Sequence, residues 1–188
     1  MAGEPDEIAA AARLAAGDLE RARFLLSDRG RSLRASALEL AAPSNGAPWR
    51  KLLKAAEDIG SDAEAAARNA LEEERESGVK RSAREIGDEA KRAGRRRRTE
   101  TLDLGLALSA SWFRDLAALA SGAEQVVFNR DRLDRLQARA EGLDPAAARR
   151  AAELVQDTRR RLDLNVSEEL ALEALYFRLE REIPDGGG

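Results

Sequence analysis

With 35 Asp and Glu side chains, adjacent carboxylates are the commonest pattern in this chain that could do chemistry. Paired carboxylates serve general acid–base catalysis and, with E-x-x-H on facing helices, di-metal sites. The chain has no histidine to complete such a site, and no cysteine either. Those two absences remove disulfides, thiol nucleophiles, Cys/His zinc centres and imidazole proton transfer together. There is no G-x-x-x-x-G-K-[ST] phosphate loop, no G-x-G-x-x-G and no G-x-S-x-G elbow. In an alanine-rich sequence with this many acids, E-E pairs read as solvated helix faces. The expectation is a non-enzyme with no catalytic residue, metal or cofactor.

A second pattern is RRRRTETLDLGLALSASWFRDLAALASG, residues 95–122. Arg95, Arg96, Arg97 and Arg98 run directly into an apolar helix with Trp112 and Phe113 at its centre. A basic run beside aromatics suits nucleic-acid contact. It equally suits a solvated helix start ahead of a buried helix, with weak attraction to phosphate.

The elements that must position these residues read as helices. Hydrophobic residues make up 43% of the 188, and aromatics only 4%, so the core is mostly Leu, Ala and Val. Ala, Leu, Glu and Arg dominate, and all are strong helix formers. The fold class is all-α, a helical bundle. Net charge is −3, from 32 bases and 35 acids, too balanced for an evenly basic nucleic-acid binder. The start, MAGEPDEIAA, lacks the basic and apolar regions of a signal peptide. No run of about 18 apolar residues suggests a membrane span. A cytoplasmic protein is expected.

Residues 6–16 predict a short helix ending at Gly17. Asp18 then caps LERARFLLSDR, and a third helix runs through about 31–42. APSNGAPW, residues 42–49, is the clearest linker, and a domain boundary is placed at 43–48. WRKLLKAAEDIG predicts a helix ending near Gly60, with another starting at Ser61 or Asp62. From about 72 to 98 the chain is charged nearly throughout, with Val79 and Ile86 its only large apolar residues. Such a stretch projects into solvent or stays partly disordered. Residues 62–77 carry six acids and two bases, and 79–98 carry nine bases and three acids. The two could pair as a helical hairpin turning near Gly78.

Three helix starts and stops follow. One helix spans about 99–121, with Arg95–Arg98 at its N-terminal end, where the helix dipole disfavours them, and Glu100 and Asp103 as the offset. A shorter helix lies near 130–141. Asp144-Pro145 opens another that Asn165 closes. Ser167 caps a last one, with Leu170, Ala171, Ala174, Leu175 and Leu179 inward, and Pro184 and the terminal glycines end it.

Residues 99–182 resemble the C-terminal domain of the bacterial DNA polymerase III delta-prime subunit, the clamp-loader subunit that does not hydrolyse ATP. The residues carrying the resemblance are LDLGLALSASWFRDLAALASGAEQVVFNRD with its aromatic-Arg-Asp triplet and Asn129, then LDPAAARRAAELVQDTRRRLDLNV, then NVSEELALEALYFRL. The charged stretch at 72–98 is similar to that of actinobacterial delta-prime sequences. GDLERAR, residues 17–23, resembles the G-x-x-R-x-A-L end of an AAA+ lid, where the Arg senses nucleotide. Glu20 occupies that Arg position here, and an acid would repel a γ-phosphate.

The resemblance implies residues 1–42 as the end of an AAA+ lid, 43–48 as linker and 49–188 as a collar domain, with the rest of the lid and a nucleotide-type domain preceding Met1. It implies a scaffold that oligomerises with the ATPase (gamma/tau) and delta subunits to load a sliding clamp onto primed DNA. DNA and clamp would be reached only through the full complex, with no membrane and no small-molecule substrate. Trp112, Phe113, Leu116, Tyr176 and Phe177 are the candidates for core or subunit interface. Adjacent aromatics sit about 100° apart on a helix, so one of each pair can face the core and the other a neighbour. Arg114 and Asp115 read as polar-face residues. The alternative reading is a stand-alone helical DNA-binding protein using 79–98.

Overall fold

The helix starts read from the sequence are made by real caps. Asp18 accepts the Arg21 N–H at 3.0 Å, Asp144 accepts that of Ala146 at 2.9 Å, and Ser167 accepts that of Leu170 at 3.5 Å. The computed structural model describes residues 4–41, 46–162, 164 and 166–183. Among these are eight α-helices and no strand: α1 (Pro5–Leu14), α2 (Leu19–Leu26), α3 (Asp28–Ala41), α4 (Pro48–Glu76), α5 (Ala83–Ala120), α6 (Leu133–Ala140), α7 (Pro145–Leu162) and α8 (Glu168–Glu182). Short 3-10 turns at Glu124–Val126 and Arg130–Arg132 join α5 to α6. The expected caps at Asn165 and beyond Pro184 lie outside the described residues. Among those described, no helix is long and apolar enough to cross a membrane.

Two helices are longer than the sequence suggests. Gly60 ends nothing: α4 runs unbroken through it for 29 residues. Nor does a helix begin near residue 99. α5 starts at Ala83, where Ser82 and Glu85 form a capping box, and continues for 38 residues. That is about 57 Å at 1.5 Å per residue. Arg95–Arg98 therefore sit in mid-helix, where no N-terminal dipole opposes them. Glu100 pairs with Arg97 at 3.7 Å, and Asp103 takes both arms of Arg159 from α7 at 2.7 and 2.8 Å.

The acidic and basic halves do form a helical hairpin, closed at Gly78 with φ +102°. Glycine suits that left-handed backbone because it has no Cβ. What joins the two helices is mainly close packing. Leu71 of α4 and Ile86 and Ala90 of α5 are buried. Gly60 and Gly94 meet where the helices cross: a Cβ on Gly94 would lie 2.8 Å from the Glu64 Cβ and 3.0 Å from the Gly60 carbonyl oxygen. The only ion pairs binding α4 to α5 or its approach are Arg98–Glu57 at 3.4 Å and Arg81–Glu74 at 3.3 Å, among the described residues.

Past the hairpin, α5 becomes the axis of the bundle and touches α3, α4, α6 and α7. Leu102, Leu106, Ser109, Trp112, Phe113, Asp115 and Leu116 are all buried, on different sides of the helix. One core runs from Ala11 through Leu33, Leu38, Trp49, Leu106, Trp112 and Val155 to Ile183. Residues from both sides of the expected linker at 43–48, of which 43–45 lie outside the described residues, contribute to that core. Ser109 of α5 donates to the Ala37 carbonyl of α3 at 2.8 Å, deep inside it.

A buried polar chain fastens the same junction. Asp115, expected on a polar face, is fully buried. Its carboxylate accepts the backbone N–H groups of Phe128 (3.0 Å) and Asn129 (2.8 Å) and the Asn129 side-chain amide (2.7 Å). The Asn129 side-chain oxygen accepts from Arg34 of α3 at 2.7 Å. Arg34, 5% exposed, also grips Asp131 with two bonds of 2.7 Å. Nearby, Arg31 clamps Glu7 of α1 at 2.6 and 3.1 Å. The hydrogen bond from Arg31 holds the Glu7 carboxyl below its ordinary value, against the opposing effect of burial.

Two outcomes follow for stability, both read from urea unfolding. Gly94→Ala overpacks the crossing and should cost about 1–3 kcal/mol, whereas Gly87→Ala, whose Cβ would meet nothing within 4 Å, should gain roughly 0.5–1 kcal/mol from helix propensity. Arg34→Met strips half-buried Asp131 of its bidentate partner, leaving it Arg132 at 3.9 Å, and should cost about 1–3 kcal/mol, part of it recovered when Asp131→Leu is added.

Candidate interaction surface

The expected inner face of α8 is partly wrong. Leu172, Leu175, Tyr176 and Leu179 are buried, whereas Leu170 is 64% exposed and Ala174 is exposed too. Nearly every position from 170 to 179 is apolar, so two stripes compete. Contacts with α7 and α4 choose between them.

The stripe left outside is contiguous. Leu170, Ala174 and Phe177 follow at intervals of four and three residues, hence on one helix face. Phe177 is 55% exposed. Val166 and Leu164, the latter 76% exposed, extend the apolar character ahead of the helix. Glu169, Arg178 and Arg181 are exposed around it. Phe177 is not a loose side chain: its ring meets that of Tyr176 edge-on, with centroids 5.5 Å apart and planes at 62°. The Tyr176 hydroxyl in turn donates to Glu180. Such edge-to-face pairs add about 0.5–1.5 kcal/mol beyond their buried area.

The other candidates are resolved by burial. Trp112, Phe113 and Leu116 are interior, at 0%, 1% and 0% exposure, and Tyr176 is buried too. Both residues of the Trp-Phe pair are core because α5 is covered on several sides at this level. The Arg135 guanidinium lies 5.6 Å above the Trp112 ring. Trp49, at the start of α4, is buried at 2% with Arg50 over it. Of the five aromatic and leucine candidates, only Phe177 faces solvent.

The triplet Phe113-Arg114-Asp115 and Asn129, far apart in the chain, meet in space. Asp115 holds Asn129, and the Arg114 guanidinium stacks 3.8 Å over Phe128. Arg114 thereby forms one wall of a groove of about 670 Å³ along the open side of α5. Its floor is alanine (Ala107, Ala110, Ala118, Ala152), and Arg149, Glu153 and Gln156 of α7 form the opposite rim.

Glu20 stands in the first turn of α2, exposed and paired with Arg23 at 3.0 Å. Among the described residues, no three acidic side chains converge on a point that could hold a metal ion. Sequence reasoning overlooked Arg34 altogether, because nothing in DRGRSLRASALELA distinguishes it from its neighbours Arg29 and Arg31. It also missed Leu170 as a surface residue. The signal available for Leu170 was the number of apolar residues in α8, more than one face can bury.

Leu170→Ser with Phe177→Ser should leave the protein folded and cost only about 1–2 kcal/mol of unfolding free energy, from the lost ring contact and the lower helix propensity of serine. It should also abolish any binding of the dye ANS to the folded protein, read as fluorescence. No protein-family model, curated protein or solved structure matches this chain.

Proposed function

We propose that this chain is a non-catalytic assembly protein that binds a partner protein through the outward face of α8. The observation carrying the reading is the aligned exposure of Leu170, Ala174 and Phe177, with Leu164 and Val166 beside them. Large apolar side chains gathered on one exposed face, inside a ring of charge, mark association surfaces. Covering Leu170 and Phe177 would contribute about 1.5–3 kcal/mol each. The edge-on contact with Tyr176 pre-orders Phe177, so little side-chain entropy is lost on docking. The lack of histidine, cysteine and phosphate-loop motifs supports a scaffold rather than an enzyme.

The specific form of the proposal is a clamp-loader subunit of delta-prime type, associating with the ATPase and delta subunits in DNA replication. That form rests on the resemblance of residues 99–182 and on Glu20 in the place of a nucleotide-sensing arginine. What the described helices share is one core from α1–α3 through α4–α8, which any helical scaffold could have. The wider assembly reading is therefore the one that the geometry supports best.

The test mixes the chain with purified clamp-loader ATPase and delta subunits at micromolar concentration on a sizing column. Co-elution that is lost in Leu170→Ser/Phe177→Ser is the expected result. Elution of the chain alone eliminates the clamp-loader form. The wider reading fails if that double variant leaves the proteins cross-linked to the chain in its native cells unchanged.

A further inference from the structure

Residues 90–99, AKRAGRRRRT, hold six cations and no acid. Folding treats the six differently. Arg98 pairs with Glu57 at 3.4 Å and with Glu168 of α8 at 2.5 Å. Arg97 lies 3.7 Å from Glu100, with its guanidinium over the Phe24 ring at 5.2 Å. Earlier in the hairpin, Arg81 takes Glu74 and Glu89, and Arg84 takes Asp88. Lys91, Arg92, Arg95 and Arg96 are exposed and have no ion pair among the described residues, in a chain with 35 acids.

These four form one surface. On an α-helix, positions 91, 92, 95 and 96 fall within about 140° of arc, and the pairs 91/95 and 92/96 each rise about 6 Å. Ala90 and Gly94, both buried, mark the opposite side, where α5 packs on α4. The close Gly60–Gly94 crossing fixes the helix that carries the cations. The acids nearest in the hairpin are already engaged: Glu64 with Arg68, Glu89 with Arg81 and Asp88 with Arg84. Arg92 and Arg96 also wall a groove of about 660 Å³ over Ala67, Ala70 and Leu71.

We propose that the face formed by Lys91, Arg92, Arg95 and Arg96 binds the phosphate backbone of duplex nucleic acid. Several observations favour this ligand. The face has no large apolar side chain to enter a lipid layer, as an interfacial helix requires. Trp112 and Phe113 are buried, and the half-buried Phe24 ring beside the face is already covered by the Arg97 guanidinium at 5.2 Å, so unpaired bases find no free aromatic to stack on. The face carries no Asn or Gln to read adenine edges. What remains is a rigid row of cations, which suits the dense, regular charge of a duplex independently of its sequence. The proposal uses a different face from α8 and stands whether or not the assembly reading holds.

The test is fluorescence anisotropy of a labelled mixed-sequence DNA duplex titrated with the full chain. Engaging up to four phosphates gives a log–log salt slope of up to about −3.6, a loss of about 100-fold between roughly 50 and 200 mM salt. Lys91→Gln/Arg92→Gln/Arg95→Gln/Arg96→Gln should abolish binding, and each half of it (91/95 or 92/96) should flatten the slope by about 1.8. A charge-matched control, Arg23→Gln/Lys54→Gln/Arg160→Gln/Arg161→Gln, removes four exposed but paired cations away from this face and should leave binding unchanged. Leu170→Ser/Phe177→Ser should bind the duplex like the parent, which separates this proposal from the assembly reading. Circular dichroism checks that the variants stay helical, and the half-variants decide the matter if the quadruple variant does not. The proposal is overturned by no binding at low salt, by a salt-independent Kd, by equal loss in the control, or by binding to phosphatidylserine vesicles without binding to the duplex.

Discussion

Burying a guanidinium in an alanine- and leucine-rich core is tolerable only if its charge is matched and its donors are used. The charge and the two terminal amino groups of Arg34 meet that condition through Asp131 and Asn129, with Nε left unbonded among the described residues, and Asn129 is in turn held by Asp115. The chain of contacts joins α3, α5 and the connection from α5 to α6. It explains how α1–α3 share a core with helices more than 60 residues further along the chain. The connection from α5 to α6 has little regular structure of its own. Asp115 satisfies its backbone N–H groups, Arg13 donates to the Val127 carbonyl at 2.7 Å, and Arg114 stacks on Phe128.

Around that junction α5 does two physically different jobs. Its second half is buried on several sides, with Trp112 and Phe113 both interior. Its first half is a strut gripped by α4 along one narrow seam, where missing side chains at Gly60 and Gly94 let the backbones approach. The seam leaves the other side of the strut free, and that side carries cations in excess of the available acids. The apolar face of α8 lies elsewhere, and Arg98, paired with Glu168 at the start of α8, links the strut to that helix. An apolar face for protein and a cationic face for phosphate are compatible with one scaffold. Their chemistry differs, so neither needs the other in order to bind.

Much of this was legible from the residues. The helical class followed from composition, and the starts at Asp18, Asp144 and Ser167 followed from side chains that accept orphan N–H groups. The hairpin at Gly78 followed from charge segregation. The errors share a cause. Glycine reads locally as a stop because it weakens a helix by roughly 0.5–1 kcal/mol, but at Gly60 the packing against Gly94 outweighs that penalty. The charged run at 72–98 reads as loose because it has little to bury, yet Leu71, Ile86 and Ala90 suffice when they meet on one seam.

The amino-acid sequence by itself settled the kind of protein this is: all helical, capped where its polar residues demand, and without histidine or cysteine chemistry. These are properties of single residues and of short-range periodicity. Tertiary structure decided which of two apolar stripes on α8 is buried, that Trp112 and Phe113 are both interior, that Arg34 and Asp115 are core residues, and which four of the clustered cations have no ion pair among the described residues. Each of those depends on what lies across a contact from a distant part of the chain. A side chain's burial or pairing is a relation between two segments, and the sequence of one segment does not contain it.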